Sequence, residues 1–143
     1  MMAPTVVLRD GQVELVLGSA GSNRIRSALL QTIVGVVDHG LSARAAVQAP
    51  RVHFEDDTLF AEPGIDLSEL AGSGAAHDAP SGAGGQLPAM GGMPQEVVEF
   101  HELNLFFGGV QAVERDPVSG FSGGGDERRG GAAIVVGTGF AGA

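Results

Sequence analysis

No cysteine, lysine, tryptophan or tyrosine occurs in the 143 residues, and these absences close several classes of chemistry. Without Cys there is no disulfide framework, no thiolate zinc site and no cysteine nucleophile. Without Lys there is no Walker-type phosphate lysine and no Schiff-base amine. Positive charge is scarce too: eight Arg stand against 17 acidic residues, for a net charge of −9. Sequence-independent nucleic-acid binding needs a basic footprint, so that class is excluded. No apolar run reaches the ~18 residues of a membrane helix, and no basic-then-apolar start resembles a signal peptide. The expectation is a chain with no nucleic-acid or membrane partner and with neither metal nor cofactor, its compartment left open with the cytoplasm favoured. What the chain has in excess is glycine, 24 residues of it, in a length that suits one domain.

Periodicity organises most of the chain. Residues 5–9 are β-rich, Asp10-Gly11 is a two-residue turn signal, and residues 12–17 alternate, which predicts a hairpin with Val13, Leu15 and Leu17 on one face. A small-residue loop, Gly18-Ser19-Ala20-Gly21-Ser22-Asn23, leads to a helix. Ile25, Ala28, Leu29, Thr32, Ile33, Val36 and Val37 form its apolar stripe, with Ser22 or Asn23 as cap and Asp38-His39-Gly40 as stop. Ser42 caps a short second helix that Pro50 ends. Val52-His53-Phe54 and Thr58-Leu59-Phe60 read as short strands around the acidic turn Glu55-Asp56-Asp57, and residues 65–70 as one or two helical turns. The segment 72–95 is rich in Gly and Pro and predicts a disordered loop within a single unit spanning 1–143. Structure resumes at residues 97–100, turns at 104–109, and continues as a strand over 110–115. A Gly-rich loop at 122–131 then precedes a last strand at 133–136.

Few side chains advertise chemistry. The loop at 18–23 lies between a strand and a helix N-terminus, where backbone N–H groups and the helix dipole collect an anion or stabilise an oxyanion. Small residues also make ordinary strand-to-helix turns, so both readings stand. His39, His53, His77 and His101 are too scattered for a metal motif and read as surface or helix-end residues. Glu55-Asp56-Asp57 lacks the spaced ligands of a calcium loop and reads as a solvated turn. Around Gly123-Gly124-Gly125-Asp126-Glu127-Arg128-Arg129, the two acids offset the two Arg, giving a turn with a local salt bridge rather than a phosphate cradle. Thr5 would be an N-terminal nucleophile only after cleavage behind Pro4.

The order of the segments is more specific than any one of them. Met2-Ala3-Pro4-Thr5-Val6-Val7-Leu8, then Gly18-Ser19-Ala20-Gly21-Ser22-Asn23-Arg24-Ile25, then Ala46-Val47-Gln48-Ala49-Pro50-Arg51-Val52-His53 resemble the C-terminal part of the small subunit of the γ-glutamyltranspeptidase family. Gly109-Val110-Gln111-Ala112-Val113 and the Gly124-Gly125-Asp126 to Arg128-Arg129-Gly130-Gly131 run resemble its closing strands. The resemblance covers nearly the whole chain apart from 72–95.

It implies an α+β fold, part of an N-terminal-nucleophile hydrolase αββα sandwich, and γ-glutamyl transfer from glutathione-type donors to amino acids, peptides or water. In that family a Thr freed by self-cleavage attacks the donor, two backbone N–H groups of a glycine pair hold the oxyanion, and a serine pair holds the donor carboxylate. Here Gly21 matches the first glycine and Ser22 stands in place of the second. The nucleophile and the serine pair lie upstream of the matching positions, and Thr5 aligns with the Thr that follows the family's proline. The implied partners are therefore the remainder of the enzyme, or a complementing chain carrying the Thr, and γ-glutamyl compounds such as glutathione. A non-catalytic binding or scaffold module of the same fold, or a gene fragment without function, are the alternatives.

Overall fold

The computed structural model describes residues 2–21, 23–68, 94, 96–116, 120–134 and 136. Strands β1 (Met2–Arg9) and β2 (Gln12–Ala20) form the expected hairpin, turning at Asp10 and Gly11, both with positive φ. That is the backbone a two-residue hairpin turn demands and that Asp-Gly adopts at low cost. Helix α1 (Ile25–Val37) follows, then α2 (Ala43–Gln48), capped as expected by the Ser42 side chain accepting from the Ala45 N–H. β3 (Val52–Glu55) and β4 (Thr58–Ala61) turn through Asp56 and Asp57, again at positive φ. β5 (Glu96–Glu99), a 3-10 turn at Leu105–Phe107, β6 (Gly109–Asp116) and β7 (Gly120–Gly125) complete the strands.

Two sheets result. The larger has the order β1-β2-β6-β7, antiparallel throughout; in the smaller, β3 pairs antiparallel and β5 parallel to the central β4. On one face of the larger sheet Leu15, Leu17, Val110 and Ala112 pack under Ala28 of α1 and Ala43 and Val47 of α2. The opposite face is open. Val6, Val16 and Val113 lie side by side across three strands, and with Leu8, Val13 and Phe121 they are between 42% and 64% exposed. Six such residues on one sheet face are the size of patch that another protein layer ordinarily covers.

Three expectations change here. Val13 does not share a face with Leu15 and Leu17: the ladder pairs Val7 with Leu15 but Leu8 with Val13, and this bulge reverses the alternation before it, so that Val13 faces the open side. The Gly-rich run is not a loop up to residue 125 but strand β7, where glycine permits close packing: a Cβ on Gly124 would sit 2.8 Å from the Ala43 carbonyl oxygen. Beyond it, Ala133, Ile134 and Val136 form no strand, and Ile134 is 87% exposed. Of the turn expected at 65–70, residues 65–68 carry an Asp66 side chain that accepts from the Ser68 N–H; the remainder, and all of 72–95 except Pro94, lie outside the described residues.

Candidate active-site loop and its supports

Gly21 ends the hairpin and lies over Gly108: a Cβ on Gly21 would be 3.7 Å from the Gly108 Cα and from Ile25 Cγ1. Gly108 itself, at φ 76°, has the left-handed backbone that favours glycine, and it lies beside Ser19 Oγ and Ala28. Ser22, the second expected site residue, lies outside the described residues. Arg24, not Ser22 or Asn23, is the N-cap of α1, and it contributes no side-chain cap. Nor does the first turn hold an acidic residue. No side chain of that turn offsets the positive end of the α1 dipole, which by itself attracts negative charge.

Two charged clusters brace this loop through the turn at 104–108. The first is buried. Arg51, behind Pro50 at the start of β3, donates through Nη2 to Asp126 Oδ2 at 2.8 Å and to the Val47 carbonyl at 2.9 Å, and through Nη1 to the Gly108 carbonyl at 3.0 Å. Asp126 also accepts from the Val110 N–H and from the Arg128 backbone and side chain. Arg128 Nε reaches Glu62 Oε1 at 2.7 Å and its Nη2 bonds Oε2 of the same carboxylate, a bidentate clasp. Glu62 in turn accepts from the backbone N–H of Arg51 and of Asn104. Burial pulls the Arg51 guanidinium below the ordinary arginine value and the nearby Arg128 adds to this, against the pull of Asp126. For Arg128 burial acts the same way, but the hydrogen bonds and charge of Glu62, then of Asp126, outweigh it and raise the value. The local salt bridge expected at 126–128 thus exists, but in the interior and joined to two residues distant in sequence.

The second cluster lies at the loop itself. Arg24 Nη2 donates to Glu55 Oε2 at 3.0 Å, Asn23 Nδ2 to Glu55 Oε1 at 3.5 Å, and the Arg24 guanidinium stacks 3.7 Å from the Phe106 ring centroid. Phe106 belongs to a cluster with Phe60, Phe100 and Phe107. His53 is only 6% exposed, contrary to the surface position expected; its Nδ1 is 2.7 Å from Ser27 Oγ. Burial lowers its pKa from the ordinary value, Glu55 opposing the shift and Arg24 and Arg26 adding to it. Nor is Glu55 simply a solvated turn residue, since it carries both of these contacts. His39 and His101 are exposed as expected, and His77 lies outside the described residues. Thr5 sits within β1, paired with Leu17.

Other concavities carry less. A cleft of about 700 Å³ beside the hairpin tip is lined by Arg9, Glu14, Val36, Leu41 and Glu114. Two of its carboxylates are already engaged, Glu14 by Arg9 and Glu114 by the Ala43 N–H and the Ser122 hydroxyl. Among the described residues no three His, Asp or Glu converge as metal ligands.

One layer of helices on one layer of antiparallel sheet, mixed α+β, is half of the αββα architecture of an N-terminal-nucleophile hydrolase, and solved structures of similar fold are γ-glutamyltranspeptidases. A sequence profile of the gamma-glutamyltranspeptidase family matches residues 1–136, so the chain belongs to that family. It is 29% identical over 140 residues to the glutathione hydrolase proenzyme of Bacillus subtilis, an alignment of 94% of this chain and 20% of that protein. With the glutathione hydrolase proenzyme of Escherichia coli it shares 43% identity over 71 residues, 48% of this chain and 12% of the other. A variant of the Helicobacter pylori gamma-glutamyltranspeptidase superposes with a TM-score of 0.63 at 29% identity, covering 89% of this chain and 60% of that one. The chain therefore spans only 12% to 20% of the length of these two curated relatives.

Proposed function

We propose that the chain supplies the oxyanion-binding side of a γ-glutamyl-transferring enzyme and works with a polypeptide that carries the Thr nucleophile. The observation that carries the reading is the Gly21 loop. It joins β2 to an α1 N-terminus without acidic residues, on a backbone fixed from beneath by Gly108. In that position the N–H groups of Gly21 and Ser22 meet the negative charge that develops on the γ-carbonyl oxygen when the Thr hydroxyl adds to it. The acyl group then passes from the Thr to an amino acid, a peptide or water. The open sheet face supports the same reading, because its six apolar side chains are the natural seat of the second sheet of an αββα sandwich.

The test is release of the aniline from a γ-glutamyl anilide. The chain alone should give none; mixed or co-expressed with a family polypeptide bearing the Thr, it should give turnover. Replacing Ser22 by Pro, which deletes one N–H donor, should lower kcat of the complemented enzyme by about 10²–10³. Turnover by the chain alone would overturn the reading, as would a Ser22→Pro complex of unchanged kcat.

A further inference from the structure

Both oxygens of one carboxylate serve the residues that follow Gly21. Glu55, the last residue of β3, receives Asn23 on Oε1 and Arg24 on Oε2, while Phe106 holds the other side of the Arg24 guanidinium. Two residues earlier on the same face of β3, His53 directs Nε2 at that same Oε2 from 3.6 Å, and Nε2 is buried without a hydrogen-bond partner. At 3.6 Å the contact is too long for a hydrogen bond. A charge-assisted N–H···O bond closes to about 2.7–2.9 Å, so an imidazolium would draw the carboxylate toward itself and away from Arg24.

We propose that Glu55 is a positioning residue for Gly21, holding it through Asn23 and Arg24, and that protonation of His53 weakens this hold by competing for Oε2. The charged groups facing His53 are Glu55 on its own strand and Arg24 and Arg26 at the start of α1; β4 presents the uncharged Phe60, itself against Phe106 of the 3-10 turn. Ser27 Oγ lies 2.7 Å from Nδ1, and whichever of the two donates, the imidazolium carries a proton on Nε2, facing Glu55. Burial keeps the neutral form in place through neutral pH, so the hold is complete there and yields in acid. The consequence for catalysis rests on the oxyanion reading of Gly21; the hold itself does not.

Amide exchange and the chemical shift of Gly21, measured on the 15N-labelled chain, test it. Glu55→Ala should speed Gly21 exchange by about tenfold or more, the loss of a charge-assisted contact, while the Leu15 and Val110 amides keep their rates. Glu55→Gln retains an acceptor for Asn23 and should fall between the two. In the unaltered chain the Gly21 shift should move with the His53 ring signal on acidification, and this step should vanish in Glu55→Ala and in His53→Gln. Gly21 unmoved in Glu55→Ala, or all amides quickened alike, would overturn the proposal. In the complemented enzyme Glu55→Ala should lower kcat for the anilide with KM unchanged. If no complex turns over, the proposed function fails, yet the Gly21 amide still decides the hold.

Discussion

Arg51, Arg128, Asp126 and Glu62 meet where water is excluded, whereas Arg24, Glu55 and His53 meet at its edge, and the same short turn touches both groups. Gly108 and Asn104 take hydrogen bonds from or give them to the interior quartet, and Phe106 lies under the guanidinium of the outer one. Inside, two positive and two negative side chains balance, and backbone groups occupy most remaining valences; of the quartet's side-chain atoms only Arg51 Nε is buried without a partner. Outside, Arg24 Nε and His53 Nε2 are both buried without one. A network satisfied nearly everywhere fixes one arrangement of the chain, whereas one that leaves buried donors unpaired holds its members less firmly. The contrast separates a frame from a looser clasp.

The largest effect expected is Asp126→Ala. It takes an acceptor from two buried guanidinium groups and from the Val110 N–H at once, and among the described residues Asp126 is the only carboxylate bonded to the Arg51 guanidinium. The change should cost about 3–5 kcal/mol in urea denaturation; a loss below about 1 kcal/mol would mean the interior quartet is no frame. Arg24→Ala removes a stacked cation and a partly buried pair, and should cost about 1–2 kcal/mol by the same measurement. A cost equal to that of Asp126→Ala would erase the distinction between the clusters. The smallest is a pH effect. Because burial lowers His53, the unfolded chain takes up a proton below about 6.5 that the folded chain still refuses. Thermal stability should therefore be full above that pH and decline as pH falls toward the lower folded value. His53→Phe should remove this part of the decline, and an unchanged profile would place the acid sensitivity elsewhere.

The hairpin, both helices and the paired short strands were legible because each is written locally, in alternation, in a 3.6-residue stripe, in Asp10-Gly11 and in Ser42. The bulge at Val7 and Leu8 was not, since one extra residue in a ladder leaves the alternation of either strand looking regular. Strand β7 was hidden for a different reason: glycine lowers strand propensity, and only the closeness of α2 explains why it is needed there. Among the residues proposed to be functional, Gly21 is suggested by the order of motifs alone. Glu55 and His53 read in the sequence as a solvated turn residue and a surface histidine, because their neighbours Arg24 and Ser27 are remote in sequence. The proximity of a His to a Glu two residues on was the available signal, and it becomes informative only once a strand sets both on one face.

The parallel pairing of β4 with β5 has a bearing on the glycine-rich stretch between them. Because the two strands are pinned side by side by the Thr58–Glu96 to Ala61–Glu99 register, the chain that joins them has to close as a tether between fixed posts. The entropy of closing such a tether changes by only about 0.6 kcal/mol for each doubling or halving of its length. That makes the β4–β5 connection the place where sequence can be inserted, shortened or exchanged for a reporter with little cost to the sheet, provided Glu62 is kept for Arg128.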